Sequence, residues 1–320
     1  MKIQANEIII RRFMASIQNN RLGHAYFFRG PARLGKTSTA YVVAKLVNCE
    51  RVFSEGPCGQ CESCRKIEKG IHPDVHFLKE EEEGGVIKIE VVRDLIRALQ
   101  LKAYEGRKKV CIIRNVDHLT ADAANALLKT LEEPTADSLL ILTTAQADRV
   151  IATVKSRCQA MNFFPWASER LTQTLIGEDN LPEAIAHFLA LYSEGNIGLA
   201  RQLLKDKFYQ RKNDVIDQFI LSRDSEGFLK KILSEKSRTQ EALDVLASVL
   251  RDLILLKAGV GSFRFLHRDR LADLEKTACR FSFADLERCF QEVVKTEQML
   301  ADNFNIKIAM SIIKETLWLE

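Results

Sequence analysis

The feature that most constrains the fold is the stretch GPARLGKTS at residues 30–38. It fits the pattern G-x-x-x-x-G-K-[ST], with a short apolar run, Ala25–Arg29, before it and a helix-like segment, Lys36–Val47, after it. Strand, glycine-containing turn and helix in that order are typical of a phosphate-binding loop, whose backbone amides and helix N-terminus attract an anion. The sequence therefore predicts an α/β domain built around such a loop.

Each residue of the motif has its own role in a loop of this kind. Gly30 and Gly35 let backbone amides approach phosphate oxygens, and Lys36 would reach the β- and γ-phosphates. Thr37 would offer its hydroxyl to magnesium, and Ser38 completes the predicted nucleotide-binding set. ATP or ADP with magnesium is the ligand that such a loop would take. The alternative is descent from a nucleotide-binding protein without present-day binding.

One loop residue departs from the usual pattern. Arg33 occupies a place where glycine is common in related loops. A side chain at this point would either crowd the turn or reach the phosphates.

Strand-like and helix-like segments alternate through the first half of the chain, which is typical of a parallel sheet covered by helices. The predicted strands are Ala25–Arg29, Val75–Leu78, Val110–Arg114, Leu139–Thr143 and Ala160–Phe164. The predicted helices are Lys36–Val47, Ile89–Leu101 and a segment capped by Thr120 that ends at Glu133, before Pro134.

The pattern changes after Pro165, where the strand-like runs stop. Short helical segments follow to Lys207, and the remainder is helical throughout, with Leu243, Leu246 and Leu250 on one apolar stripe. We therefore predict three domains: an α/β domain at 1–165, a small helical domain at 166–207 and an all-α domain at 208–320.

A second motif lies inside the first domain, within residues 49–64. Its members are four cysteines: Cys49, Cys58, Cys61 and Cys64. The C-x₂-C-x₂-C core with one further thiolate suits tetrahedral structural zinc, with no open position for catalysis. Free thiols or a disulfide pair are the alternatives, and His72 or His76 could replace one of the cysteine ligands. The four other cysteines stand singly in apolar surroundings and are predicted to be buried: Cys111, Cys158, Cys279 and Cys289.

Charge and hydropathy exclude several classes of protein. The net charge of +4 does not fit a strongly basic nucleic-acid coat, although it leaves room for a local basic patch. The sequence has no apolar run of about 18 residues and no recognisable secretory signal, so we expect a cytoplasmic protein without a membrane partner. Disulfides are rare in that compartment, which favours the zinc interpretation.

Several stretches in a fixed order resemble the bacterial clamp-loader subunits of DNA polymerase III, the tau/gamma and delta-prime group. They are LGHAYFFRGPARLGKTSTAYVVAKLVNC, the cysteine motif, IHPDV, IKIEVVRDLIRAL, NALLKTLEEP and SRC. The resemblance implies an AAA+ module with an inserted zinc knuckle, a helical lid and a helical collar. It also implies a role in loading a sliding clamp on primed DNA, with tau/gamma and delta subunits as partners and with clamp and primer–template DNA contacted through the complex.

The departures from the family pattern indicate which type of subunit this is. Active tau/gamma subunits carry an Asp-Glu pair at the end of the second strand, where this chain has Arg114 and Asn115. A guanidinium repels magnesium, and an amide is a poor base. Asp117 is the nearest acid, and we expect it to be a turn residue that points elsewhere.

Two further departures agree with this. The lid arginine of active subunits is matched by Gly198, with Arg201 three residues later, and the chain ends at residue 320 without the long extension of tau. All of these features favour the delta-prime type, for which we expect no intrinsic ATPase activity.

One catalytic part of the family is retained. Arg157, in SRC, matches the arginine that reaches the ATP of a neighbouring subunit, and such a finger can raise the rate by a factor of about a thousand or more. The alternative is an ordinary surface arginine in a salt bridge. Thr143 or Thr144 falls near the sensor position of the family.

Two other functions stay open. One is an active tau/gamma-like ATPase that uses Asp117, which would require a carboxylate close to the Thr37 hydroxyl. The other is a generic AAA+ or zinc-dependent DNA-binding protein outside replication.

Overall fold

The computed structural model describes residues 6–54, 56–80, 85–222, 226–261, 265–301 and 306–318. The chain divides into two compact units, Met1–Pro165 and Trp166–Glu320. The further division of the second unit into a lid at 166–207 and a collar at 208–320 stays a prediction.

The first unit is an α/β domain. Its strands are β1 (Ala25–Arg29), β2 (Val52–Phe53), β3 (Gly56–Pro57), β4 (Val75–Leu78), β5 (Lys109–Ile113), β6 (Ser138–Thr144) and β7 (Gln159–Asn162). Its helices are α1 (Glu7–Gln18), α2 (Lys36–Asn48), α3 (Glu62–Lys69), α4 (Ile89–Gln100), α5 (Ala121–Glu132) and α6 (Ala152–Lys155).

Five of these strands form one parallel sheet in the order β4-β5-β6-β1-β7, and β2 pairs with β3 in a separate antiparallel hairpin. Every residue of β5 and β6 is buried. Val110 and Ile112 face one apolar core, and Cys111 and Ile113 face the other. This near-continuous burial is typical of strands covered by helices on both faces.

The parallel arrangement determines where the functional side chains lie. Register pairs Arg29 with Thr144 and Ile113 with Leu142, so the carboxyl ends of β1, β5 and β6 meet at one edge. In open α/β sheets this edge is the usual place for a ligand.

The second unit is helical in its described residues. Its helices are α7 (Ser168–Asp179), α8 (Glu183–Tyr192), α9 (Ile197–Lys205), α10 (Phe208–Val215), α11 (Glu226–Ile232), α12 (Lys236–Lys257), α13 (Leu271–Ala278), α14 (Phe283–Ala301) and α15 (Ile306–Trp318). A π-helical turn, Ile216–Leu221, follows α10. One apolar core runs through the unit and includes Leu243, Leu246 and Leu250, the stripe expected from the sequence.

The predicted fold class is confirmed: a parallel sheet flanked by helices, a four-cysteine cluster and a helical second half. The predicted strand Val110–Arg114 is displaced by one residue, because the observed strand begins at Lys109 and ends at Ile113. Lys109 can lie buried in the sheet since its ammonium donates to the carbonyl oxygen of Ala98 at 2.7 Å. No helix among the described residues is both long and apolar enough to cross a membrane.

Candidate functional site

The phosphate-loop motif lies between β1 and α2. It is therefore at the edge where the carboxyl ends of β1, β5 and β6 meet, hereafter the ligand edge of the sheet. Gly30 has a φ of 146°, and a Cβ at this position would lie 2.2 Å from the carbonyl oxygen of Phe163. Gly35 precedes α2 with a left-handed φ of 78°. Arg33 also has a left-handed φ, 63°, and its side chain is exposed. The loop therefore keeps a backbone conformation suited to glycine even where arginine has replaced it.

The Lys36 side chain is folded back onto the loop. Its ammonium donates to the carbonyl oxygens of Gly30 and Pro31, both at 2.7 Å, and the residue is only 7% exposed. Burial lowers the pKa of Lys36 to about 8, and the charge of Asp117 opposes part of that effect. Thr37 and Ser38 are half-buried on the first turn of α2. An arriving phosphate would have to draw the ammonium away from the two carbonyl groups.

The tip of β5 has no acidic residue. Arg114 follows the strand, and its backbone amide donates to the carbonyl oxygen of Leu78 at 2.8 Å. Asn115 has a left-handed φ of 52°, and its amide nitrogen donates to Oε1 of Glu80 at 2.7 Å. Glu80 is a partner that sequence reasoning missed, because it follows β4 and meets Asn115 only through the pairing of the two strands.

Asp117 is a turn residue, as the sequence predicted, and it lies close enough to the loop for its charge to act on Lys36. It lies in a 3₁₀ turn, Val116–His118, with a side chain only 4% exposed. One carboxylate oxygen accepts a hydrogen bond from the Thr144 hydroxyl at 2.5 Å, and the charge of the carboxylate offsets part of the lowering of the Lys36 pKa by burial. The predicted turn is confirmed, whereas the expectation that the side chain points elsewhere was wrong, because the carboxylate meets Thr144 at the end of β6. The other candidate sensor hydroxyl, on Thr143, is fully buried.

The four motif cysteines come together as predicted. Cys49 directly follows α2, and Cys58 follows the hairpin. Cys61 is the N-cap residue of α3, and Cys64 lies within α3. Their sulfur atoms all lie within 4.8 Å of one another, and none of the four is in a disulfide. Tetrahedral zinc with bonds of about 2.3 Å requires sulfur–sulfur distances of about 3.8 Å. The cluster therefore fits a zinc ion with little adjustment.

Backbone amides surround the sulfur atoms. The amides of Gln60 and Cys61 donate to Sγ of Cys58 at 3.4 and 3.3 Å, and that of Cys58 donates to Sγ of Cys49 at 3.3 Å. The first two bonds, led by that from Gln60, lower the pKa of the Cys58 thiol to about 6, whereas burial raises the pKa of Cys64. Donors aimed at sulfur stabilise thiolates, which are the form that binds metal.

The histidines considered as replacement ligands lie outside the cluster. Nδ1 of His72 accepts from the amide of Asp74 at 3.1 Å, and burial lowers the pKa of both His72 and His76. Among the single cysteines, Cys111 and Cys289 are buried as predicted. Cys158 is half-buried, and the prediction was wrong for Cys279, which is exposed because it lies at the end of α13.

Arg157 follows α6 and has a side chain that is 35% exposed. Its guanidinium forms a 2.5 Å ion pair with Glu132, the last residue of α5. In the second unit, Gly198 lies in the first turn of α9, and Arg201 forms ion pairs with Glu178 and Asp179 at 2.8 and 2.7 Å. Arg201 is therefore engaged with two acids at the end of α7.

The structure thus combines a parallel α/β sheet, a loop whose sequence fits G-x-x-x-x-G-K-[ST] and a cluster of four cysteines that could hold a metal ion. A family model described as DNA polymerase III, delta subunit, matches residues 5–167, and one described as DNA polymerase III, delta subunit, C terminal, matches residues 206–312. The chain therefore belongs to the DNA polymerase III delta-subunit family.

Individual relatives agree with the family models. The chain is similar to DNA polymerase III subunit delta′ of Bacillus subtilis, at 30% identity over 93% of this chain and 92% of the relative. It is 36% identical to subunit delta′ of Pseudomonas aeruginosa over 61% of this chain and 60% of that one. Subunit tau of Bacillus subtilis is 36% identical over 56% of this chain and 30% of its own length. The predicted resemblance to delta-prime-type clamp-loader subunits is confirmed.

Proposed function

We propose that this chain is the delta-prime-like, non-hydrolysing subunit of a DNA polymerase III clamp loader in the cytoplasm. It assembles with tau/gamma and delta subunits, and through the complex it takes part in placing a sliding clamp on primer–template DNA. The predicted lid at 166–207 and collar at 208–320 would serve this assembly.

The observation that carries the proposal is the tip of β5. Hydrolysis in phosphate-loop enzymes requires an acid that holds magnesium and a group that orients the attacking water. Arg114 directly follows β5 and cannot serve as the acid, because a cation repels magnesium, and the Asn115 side chain is engaged with Glu80 at 2.7 Å. The chain thus lacks the two acids at this strand end, although its loop retains Gly30, Gly35, Lys36, Thr37 and Ser38 for ATP or ADP.

The proposed contribution of this chain to hydrolysis is Arg157, donated in trans to the ATP site of a neighbouring subunit. Its partial exposure at the end of a short helix supports this role, because a finger must be reachable from outside its own chain. Zinc held by Cys49, Cys58, Cys61 and Cys64 would serve a purely structural role, since four thiolates leave no open coordination position.

The proposal is tested by Arg157→Ala in the reconstituted clamp loader. We expect this variant to fold and assemble normally and to lower the DNA- and clamp-stimulated ATPase rate at least about tenfold, since a finger in trans stabilises transition-state charge. Steady-state phosphate release, with size-exclusion chromatography as the assembly control, measures the effect. An unchanged rate in a fully assembled complex would show that Arg157 is not a finger.

A second candidate function is an active ATPase subunit. The observation that favours it is Asp117, whose carboxylate accepts from Thr144 at the ligand edge of the sheet and whose charge acts on Lys36. A buried carboxylate at this place could support magnesium or water if nucleotide binding opened the loop. Hydrolysis by the isolated chain separates the two candidates.

A further inference from the structure

The guanidinium of Arg157 is held by two acceptors within its own chain. Nη2 donates to Oε1 of Glu132 at 2.5 Å, and Nη1 donates to the carbonyl oxygen of Thr153 at 3.0 Å. A weaker contact at 3.5 Å joins Nη1 to the hydroxyl of Ser156. Both terminal nitrogens of the side chain are therefore engaged.

Two helix ends reinforce this position. Glu132 is the last residue of α5, and Thr153 belongs to α6, which ends at Lys155. The carboxyl end of a helix carries partial negative charge, so a carboxylate there is unfavourable by itself and a cation is favourable. Arg157 adds a cation that bonds directly to the Glu132 carboxylate, at a helix end where the basic residue of α5 itself is Lys129.

A phosphate on a neighbouring subunit would need the N–H groups that these acceptors now occupy. We infer that Glu132 holds Arg157 in a resting position and competes with the neighbouring nucleotide for its guanidinium. The inference rests on the proposed role of Arg157 in trans. Glu132 is a positioning residue in this scheme, since it acts on the reaction only through Arg157.

The exposure of the pair limits the strength of this restraint. The Arg157 and Glu132 side chains are 35% and 50% exposed. Ion pairs with this much solvent contact are worth at most about 1 kcal/mol, so releasing Arg157 should change a rate by no more than about fivefold. The contact is therefore a weak restraint on Arg157, which a nucleotide bound to the neighbouring subunit can displace.

The test compares Glu132→Gln with a matched control, Glu133→Gln, in the reconstituted clamp loader. Glu133 is the adjacent exposed carboxylate, and the described part of the chain shows it in no ion pair. We expect Glu132→Gln to raise the ATPase rate about two- to fivefold at low salt and less at high salt, because salt already weakens the native pair. Glu133→Gln should leave the rate unchanged.

A double variant shows whether Glu132→Gln acts through Arg157 or through an unrelated change in structure. With Arg157→Ala present, Glu132→Gln should have no further effect on the rate, because the side chain that it releases is gone. A rate that falls or stays unchanged in Glu132→Gln alone, or that rises even with Arg157→Ala, would overturn the inference. An unchanged rate in Arg157→Ala alone would instead show that the proposed finger itself is wrong.

Discussion

The cysteine cluster and the phosphate-loop edge are both marked by complete sequence motifs, but only the cysteine cluster has all the side chains that its predicted chemistry needs. All four thiols converge within 4.8 Å, and backbone amides donate to their sulfur atoms. At the phosphate-loop edge the loop is complete, but β5 ends in Arg114 and Asn115, and Lys36 bonds to its own loop. A local motif contains nearly all of a metal site, whereas an ATPase site also needs residues from other strands.

The largest effect is expected from removing one cysteine of the cluster, which tests whether the four thiols hold a metal ion. Cys64→Ser should reduce bound zinc from about one ion per chain to nearly none and should lower the free energy of unfolding by at least about 3 kcal/mol, because metal binding contributes directly to folding. Elemental analysis and thermal unfolding of the same sample measure both quantities.

The matched control for this variant is Cys279→Ser, which alters an exposed cysteine outside the cluster. It should keep zinc and stability at the wild-type level. Full zinc content in Cys64→Ser would contradict the four-cysteine assignment.

A smaller effect is expected at the phosphate loop. Burial lowers the pKa of Lys36 to about 8. Only the ammonium form attracts phosphate, so ATP affinity should fall about tenfold from pH 7 to pH 9. In Lys36→Met the affinity should be weak and nearly independent of pH over this range. Isothermal titration at the two pH values checks this, and an equal fall in both proteins would refute it.

The same pKa shift affects stability with a definite sign. The unfolded chain holds this proton up to the ordinary value of 10.5, whereas the folded chain releases it near pH 8. The unfolded state binds more protons between these values, so the Lys36 contribution makes the folded state relatively more stable as the pH rises through this window.

Much of the first unit could be predicted because local patterns determine it. The motif cysteines are close in sequence, and the strand and helix around the phosphate loop follow from apolar runs and glycine positions. The cap on Thr120 is confirmed, with its hydroxyl accepting from the amide of Ala123 at 3.3 Å.

What the sequence could not show depends on which strands and helices become neighbours. The contact between Asp117 and Thr144 could not be predicted because the two residues are 27 positions apart in the chain. Asp117 follows β5, whereas Thr144 ends β6. The contact between Arg157 and Glu132 joins the ends of two helices 25 positions apart. Periodicity reports the buried face of an element but not the partner of a polar side chain at its end.

The measurement that tests the central claim most directly is steady-state ATP hydrolysis by the isolated chain, with Lys36→Ala and Asp117→Asn as matched variants. The absence of acids at the end of β5 predicts a rate indistinguishable from buffer and equal in all three proteins. Turnover above background that either variant abolishes would contradict the claim and would establish Asp117 or Lys36 as part of a working ATPase site.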